Sequence, residues 1–352
     1  MPKQQMSKNW GTPLTGFAGS TAEQFGVGGS DLGIPYDRSH FRPGASGFVF
    51  GDTFTGDGQG QGTWVGSPVL LFADAAPPAT TAFTAAPGGA RATQALNYTH
   101  KADNGYGFEV SRIPGDAFVD PNGRTWLTYT SVRDWDVADD RHGALFAGLA
   151  HSDDDGATWT DHPAVWLNDG SDGYDGWSPF MMQSFAGIGA DGHLYVVAKE
   201  WGRAHNRDGP ILMRVPWQQI TDRSAYEYWG YDGSRWLWGH PAPTPLFAGM
   251  GAIGEVSVKN LAGTWVMAYF DVAGYCISTR TAPAIDAVWS EAKPQIHGST
   301  PWWRRERAFA QLYGGYIHPR SASATDVTLY VSQWNTTTNN PYWVMQFDGI
   351  TA

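Results

Sequence analysis

Residues 46–54 read SGFVFGDTF, and four further stretches repeat their character: NGRTWLTYT (122–130), DGHLYVVAKE (191–200), AGTWVMAYF (262–270) and VTLYVSQW (327–334). Each joins an aromatic and β-branched run, of the kind that fills a pleated, half-buried strand, to turn residues before or after it. The runs centre on Phe50, Leu127, Val196, Val266 and Tyr330, which lie 77, 69, 70 and 64 residues apart. A period of about 70 fits five times into 352 residues. A long period built from short strands and turns points to radial repetition of small sheets, a β-propeller.

The flanks of each run extend the pattern. A first strand precedes it: SDLGIPY (30–36), FEVSRIP (108–114), SPFMMQSFAGI (178–188), IGEVSV (253–258) and GGYIHP (314–319). A third follows it: WVGSPVLLFAD (64–74), ALFAGLAHSD (144–153), PILMRVP (210–216), YCISTRTAP (275–283) and YWVMQFDGI (342–350). Outer strands are weaker, as edge strands often are; WTDHPAVWL (159–167) and WLWGHPAP (236–243) are the candidates. The fifth unit ends at Ala352 without one, and TPLTGFAG (12–19) is free to supply it. The expectation is an all-β, single-domain, five-bladed β-propeller. Its blades fall near 19–95, 96–170, 171–245, 246–300 and 301–352 plus 8–18, and the two chain ends pair.

Composition narrows the function. The net charge is −11, with six lysines among 23 basic residues, which disfavours nucleic acid. Cys276 is alone, so neither an internal disulfide nor a cysteine zinc site is expected, and its apolar strand reads as core. No apolar run reaches the ~20 residues of a membrane span. The segment MPKQQMSKNWGTPLTG lacks the apolar core of a secretory signal. Two histories fit: a phage tail component released by lysis and in contact with other tail proteins, or a secreted enzyme stripped of its signal. Both act outside the cell on the envelope. In HSDDDGATWT (151–160), Ser152, Asp154, Gly156, Thr158 and Trp159 form an Asp box, a turn that satisfies its own backbone and is read as structural.

In a propeller blade the start of the first strand and the end of the second share one face. That face collects Asp31, Gln183, Glu255 and His318 from first strands. From second strands it collects Asp52, Arg133, Trp135, Glu200, Trp201, Arg203, Trp334 and Asn335. Carboxylates, arginines and indoles on one rim suit a sugar: aromatic faces meet C–H groups and charged groups bind hydroxyls. Asp52 shares a strand face with Phe50 and Phe54, so desolvation should raise its pKa. Asp31 follows Gly28, Gly29 and Ser30, whose N–H groups are expected to keep it ionised. Carboxyls with pKa values pushed apart are what glycoside hydrolysis needs; turn caps are the structural alternative. Glu255 either binds an arginine or faces a central channel. His318 reads as a core histidine or a rim residue. The PWWRRER loop (301–307) either pairs with rim carboxylates or is solvated. NDGSDGYDG (168–176) offers oxygen ligands for a structural Ca²⁺ without EF-hand spacing; no cofactor or catalytic metal is expected.

GGSDLGIPY, FGDTF, WVGSPVL, GEVSV, GGYIHP and YVSQWN, in that order across residues 28–347, resemble the endo-D-arabinanases of glycoside hydrolase family 183, long described as a domain of unknown function. The resemblance implies a five-bladed propeller. It implies endo cleavage of α-D-arabinofuranosyl linkages in cell-wall D-arabinan (arabinogalactan and lipoarabinomannan), with retention, by an Asp pair matching Asp31 and Asp52. On the desolvation argument Asp31 is the nucleophile and Asp52 the general acid/base, with the reverse assignment left open. Arg112-Ile113-Pro114 departs from that pattern and resembles a sialidase element, which makes Arg112 a candidate contact and a sialidase-like hydrolase one alternative. A glycan-binding propeller without catalysis is the other.

Overall fold

A computed structural model of the chain describes residues 11–162, 166–171, 173–174, 177–204, 209–247, 251–298 and 311–352. Among these residues regular structure is almost wholly β, apart from five short 3-10 turns. Among the described residues five antiparallel sheets of four or five strands follow one another along the chain, none closed on itself, with two small two-stranded ribbons.

Each sequence repeat forms the second strand of its sheet: Ser46–Phe50, Thr125–Val132, His193–Lys199, Thr264–Asp271 and Val327–Trp334. These strands are almost wholly buried, as expected of elements with neighbours on both edges and both faces. The first strands are Ile34–Asp37, Ser111–Val119, Met182–Ile188, Ile253–Leu261 and Gln311–Ile317. They pack on one another in chain order, and the first also touches the last.

The outer strands hold the surprises. Thr12–Pro13 pairs with Gln346 and Met345, so the N-terminal segment edges the fifth sheet. WTDHPAVWL gives two fragments, Thr160–Asp161 and Trp166–Leu167, both on the third strand of the second sheet. Trp236–His240 is a fifth strand rather than a fourth: Glu227–Tyr231 intervenes and pairs with Ile211–Pro216. The Asp box forms as read. Asp154 accepts from Ser152 Oγ at 2.8 Å, Thr158 N–H at 2.8 Å and Thr158 Oγ1 at 2.6 Å, while Trp159 donates to Gly156 O at 3.1 Å. Cys276 is buried, its thiol pKa pushed up by burial.

Candidate active site

Asp31 precedes the first strand of the first sheet and Asp52 follows its second strand, so antiparallel pairing puts both at one end of that sheet. The Ser30 and Thr53 hydroxyls lock the two turns together at 2.7 Å, and Gly51 N–H donates to Asp31 O at 3.2 Å. Gly51 is glycine for a steric reason: a Cβ there would stand 2.3 Å from Asp31 Oδ1.

The two carboxyls have different surroundings. Asp31 Oδ2 accepts from Tyr313 Oη at 2.9 Å, whereas buried Oδ1 has no partner. Burial first, then the Asp52 charge, pushes the Asp31 pKa up to about 7, against the opposing pull of the Tyr313 and Tyr342 hydroxyls and Arg203. Asp52 Oδ1 accepts from Ser111 Oγ at 2.7 Å. Burial raises its pKa too, opposed by the hydroxyls of Ser111 and Ser67 and the charge of Lys101.

The expected ionisation of Asp31 by Gly28, Gly29 and Ser30 does not occur. Those N–H groups donate instead to the carbonyls of Phe54 (2.9 Å), Gly56 (2.5 Å) and Tyr342 (2.9 Å). They stitch backbone to backbone and leave the Asp31 carboxyl to two tyrosines from the far end of the chain.

A second network approaches Asp31 from the third, fourth and fifth sheets. Buried Glu255 binds the Arg203 guanidinium, with Nε at 2.9 Å, and accepts from Gly314 N–H at 3.1 Å. Burial alone would raise the Glu255 pKa, but Arg203 and the backbone donors hold it below the usual value. The guanidinium lies 4.4 Å from the centre of the Tyr313 ring, whose hydroxyl is the donor to Asp31. Arg203 is fixed at its backbone by Asp140 Oδ2, 2.6 Å from its N–H. Beside it, Lys199 Nζ donates to the carbonyls of Glu200 (2.6 Å) and Gly202 (2.7 Å), and burial pushes its pKa down to about 8. Glu255 therefore binds an arginine, and it also lines a small cavity with Gln183, Trp201 and Tyr316.

The remaining candidates sort by position. Exposed Trp135 stacks obliquely on buried Trp201, ring centres 5.7 Å apart. Trp334 packs on Tyr342 at 6.0 Å, and so on the side chain that serves Asp31. Arg133 is exposed on the loop after its strand, and Glu200 is buried beside Lys199. Gln183 is buried and donates to Phe180 O at 2.9 Å. Asn335 Oδ1 caps a turn, accepting from the N–H groups of Thr337 and Thr338.

Two expectations require correction. Arg112 is committed internally: buried, it binds Glu109 at 3.0 Å, Asp161 and Tyr129, between the rings of Tyr98 and Tyr129. Offering its guanidinium to a substrate would break those bonds. His318 is at the wrong end: the strand starts at Gln311, opposite Trp334, and His318 follows its other end, just past Ile317. There it bonds Ser46 Oγ at 3.1 Å and accepts from Arg320 N–H, and burial pushes its pKa down to about 3. It is a neutral core histidine.

Sequence reading missed Tyr313, Tyr342, Ser111, Ser67 and Lys101. The doublet of tyrosines in QLYGGY was visible, but nothing local marked Tyr313 as facing Asp31. The PWWRRER loop lies outside the described residues, as does part of NDGSDGYDG. Among the described residues no cluster of three or more His, Cys, Asp or Glu side chains could hold a metal ion.

The fold is one that glycoside hydrolases use. A putative hydrolase from Bacteroides ovatus superposes with a TM-score of 0.59 at 12% identity, over 92% of this chain and 86% of that one. A GH43_1 enzyme from Xanthomonas citri gives 0.51 at 12% identity, over 97% and 90%. Sequence comparison then places the chain directly. Residues 18–348 match the domain of unknown function DUF4185, and the chain belongs to that family. A relative within reach is notoamide biosynthesis cluster protein J of an Aspergillus strain, 32% identical over 340 residues, covering 93% of this chain and 85% of its own.

Proposed function

We propose that this protein is a five-bladed propeller hydrolase that cleaves α-D-arabinofuranosyl linkages inside cell-wall D-arabinan, with Asp31 and Asp52 as its catalytic pair. The reading takes each sheet as a blade and the Thr12–Pro13 pairing as the closure of the ring. It takes the substrate from the motif resemblance of residues 28–347, and the site of action as the extracellular envelope.

One observation carries the chemistry: a carboxyl with a pKa near 7 stands beside a second carboxyl supplied with hydroxyl donors and a lysine charge. A coupled pair of this kind holds one proton between its members over a range of pH. Asp31, with its bare Oδ1, keeps the proton; Asp52 takes the charge. This reverses the roles suggested by Phe50 and Phe54 alone. In the first step an Asp52 oxygen bonds the anomeric carbon as the glycosidic C–O bond breaks, and the Asp31 proton passes to the leaving oxygen. In the second, Asp31 takes a proton from water, whose oxygen bonds the anomeric carbon and releases Asp52. The stereochemical result is retention.

The test is incubation with purified mycobacterial-type arabinogalactan and chromatography of the products. Arabino-oligosaccharides of mixed length are expected from an endo enzyme. Free arabinose alone would overturn the endo reading, and an unchanged polymer would overturn the substrate. Azide rescue assigns the roles. The Asp52→Asn variant should give the inverted glycosyl azide and Asp31→Asn the retained one; the opposite pattern exchanges them.

A further inference from the structure

The ribbon between the first and second sheets is amphipathic in the wrong sense. Its strands are Ala102–Asp103 and Phe108–Glu109. Glu109 is 1% exposed, whereas Phe108 is 53% and Tyr106 51% exposed. Burial of apolar surface would put the aromatics inside and the carboxylate outside. Here the carboxylate is the anchor: Glu109 Oε1 accepts from Arg112 Nε at 3.0 Å and from Ser131 Oγ at 2.5 Å. The turn above it is also fixed. Tyr106 N–H donates to Asn104 Oδ1 at 2.9 Å, Gly105 N–H to Asp103 Oδ1 at 2.8 Å, and the Tyr106 ring sits 4.9 Å from Phe146. Two aromatic rings are thus held open to water on a stiff support, which is costly unless something covers them.

The support leads straight to the acid pair. Two residues past Glu109, Ser111 donates to Asp52, and Lys101, at the ribbon's base, places its charge on the same carboxyl. Next to Lys101, His100 stacks on Trp64 of the neighbouring ribbon at 4.1 Å. Both ends of the ribbon are therefore tied to the Asp52 side of the site.

We propose that Tyr106 and Phe108 form a binding track for the saccharide chain beyond the linkage being cut, taking a neutral, linear glycan whose C–H faces lie on the two rings. This rests on the hydrolase reading above and adds to it where the polymer runs. Rigid aromatics contribute contact area with little entropy to lose on binding. They also keep the enzyme's preference for polymer separate from the bond-breaking groups.

The test compares wild type, the double variant Tyr106→Ala/Phe108→Ala and the control Tyr106→Trp/Phe108→Trp, all as the full chain. Two activities are measured: hydrolysis of arabinogalactan and of an aryl α-D-arabinofuranoside too short to reach the ribbon. The alanine pair should raise the polymer KM on the order of tenfold, the effect of losing two stacked rings. It should leave aryl-glycoside kcat/KM unchanged, and the tryptophan pair should restore polymer KM. An unchanged polymer KM overturns the track. Equal losses on both substrates overturn it as well, because the ribbon would then act by holding Asp52. A wild-type self-association lost in the alanine pair would assign the rings to a second copy of the chain instead. If wild type cleaves neither substrate, retardation in gels containing arabinogalactan separates the two ideas: retardation lost in the alanine pair keeps the track and sinks the hydrolase reading, and no retardation sinks both.

Discussion

Two buried aspartates, Asp31 and Asp116, show opposite ways of placing a carboxyl inside this protein. Asp116 is saturated. One oxygen accepts from Ala117 N–H at 2.8 Å, and the other takes Lys259 Nζ at 2.8 Å, Ser184 Oγ at 2.9 Å and Phe185 N–H at 3.0 Å. It ties the first strands of the second, third and fourth sheets together. Asp31 has only the tyrosine hydroxyls of Tyr313 and Tyr342 to draw on, and its Oδ1 has no hydrogen-bond partner. A satisfied buried ion pair organises a core; a carboxyl left short of donors keeps a proton to give away.

The sharpest way to break this contrast is to neutralise both. Asp31→Asn and Asp52→Asn should each remove arabinan hydrolysis by about a thousandfold or more while the fold persists, since Asn can neither attack nor carry the proton. Asp116→Asn should do the reverse. It leaves Lys259 buried against a neutral amide, which costs about 3–5 kcal/mol of stability, while kcat per folded molecule changes little. Urea denaturation and active-site-normalised rates measure the two. If Asp116→Asn abolishes turnover in folded protein, the division into structural and reactive carboxyls is wrong.

The pH profile sharpens the same point. In the proposed mechanism Asp31 holds its proton for the first step, so activity on arabinan should fall as pH rises through about 7. Tyr313→Phe removes a hydrogen bond that stabilises the Asp31 carboxylate, so the alkaline limb should move upward. A limb that stays put would mean another group sets it.

Stability gives a third effect with a definite sign. The Asp31 pKa is raised on folding, from an ordinary 3.8 to about 7, so the native state binds the extra proton. Wild type should lose stability as pH climbs from about 4 through 7. Asp31→Asn should therefore be the more stable protein at pH 8, by on the order of 4 kcal/mol, and the gap should close towards pH 4. Thermal melts at both pH values test it; a variant less stable at pH 8 would contradict the strained state of Asp31. The smallest effect belongs to the rim: Trp135→Ala should raise KM a few-fold with the melting temperature nearly unchanged.

The strands were legible because they are repeated and strongly patterned; every repeat run became the second strand of its sheet. Asp31 and Asp52 were legible because adjacent antiparallel strands carry them to one end. Their environments were not. The donors to Asp31 come from Tyr313 and Tyr342, which no local pattern connects to it. The nearby N–H groups that were expected to serve it are consumed in backbone pairing. His318 was misplaced because GGYIHP reads as a strand start, whereas its two glycines fall at a register shift between Gly314 and Tyr316, within a strand that has begun at Gln311. Arg112 carries a suggestive motif, but its partners Glu109 and Asp161 are set by strand register that spacing does not reveal.

Asp31 sits near the beginning of the chain and its hydroxyl donors near the end; Leu32 N–H likewise donates to Ser332 Oγ at 2.8 Å. During synthesis, then, Asp31 emerges well before Tyr313 and Tyr342 and waits for its environment until they have been made and docked. An unfinished or clipped molecule would carry both aspartates yet lack the tyrosines that tune one of them. The environment of Asp31 is accordingly a certificate of docking, issued only once the segments around Asp31 and Tyr313 have met.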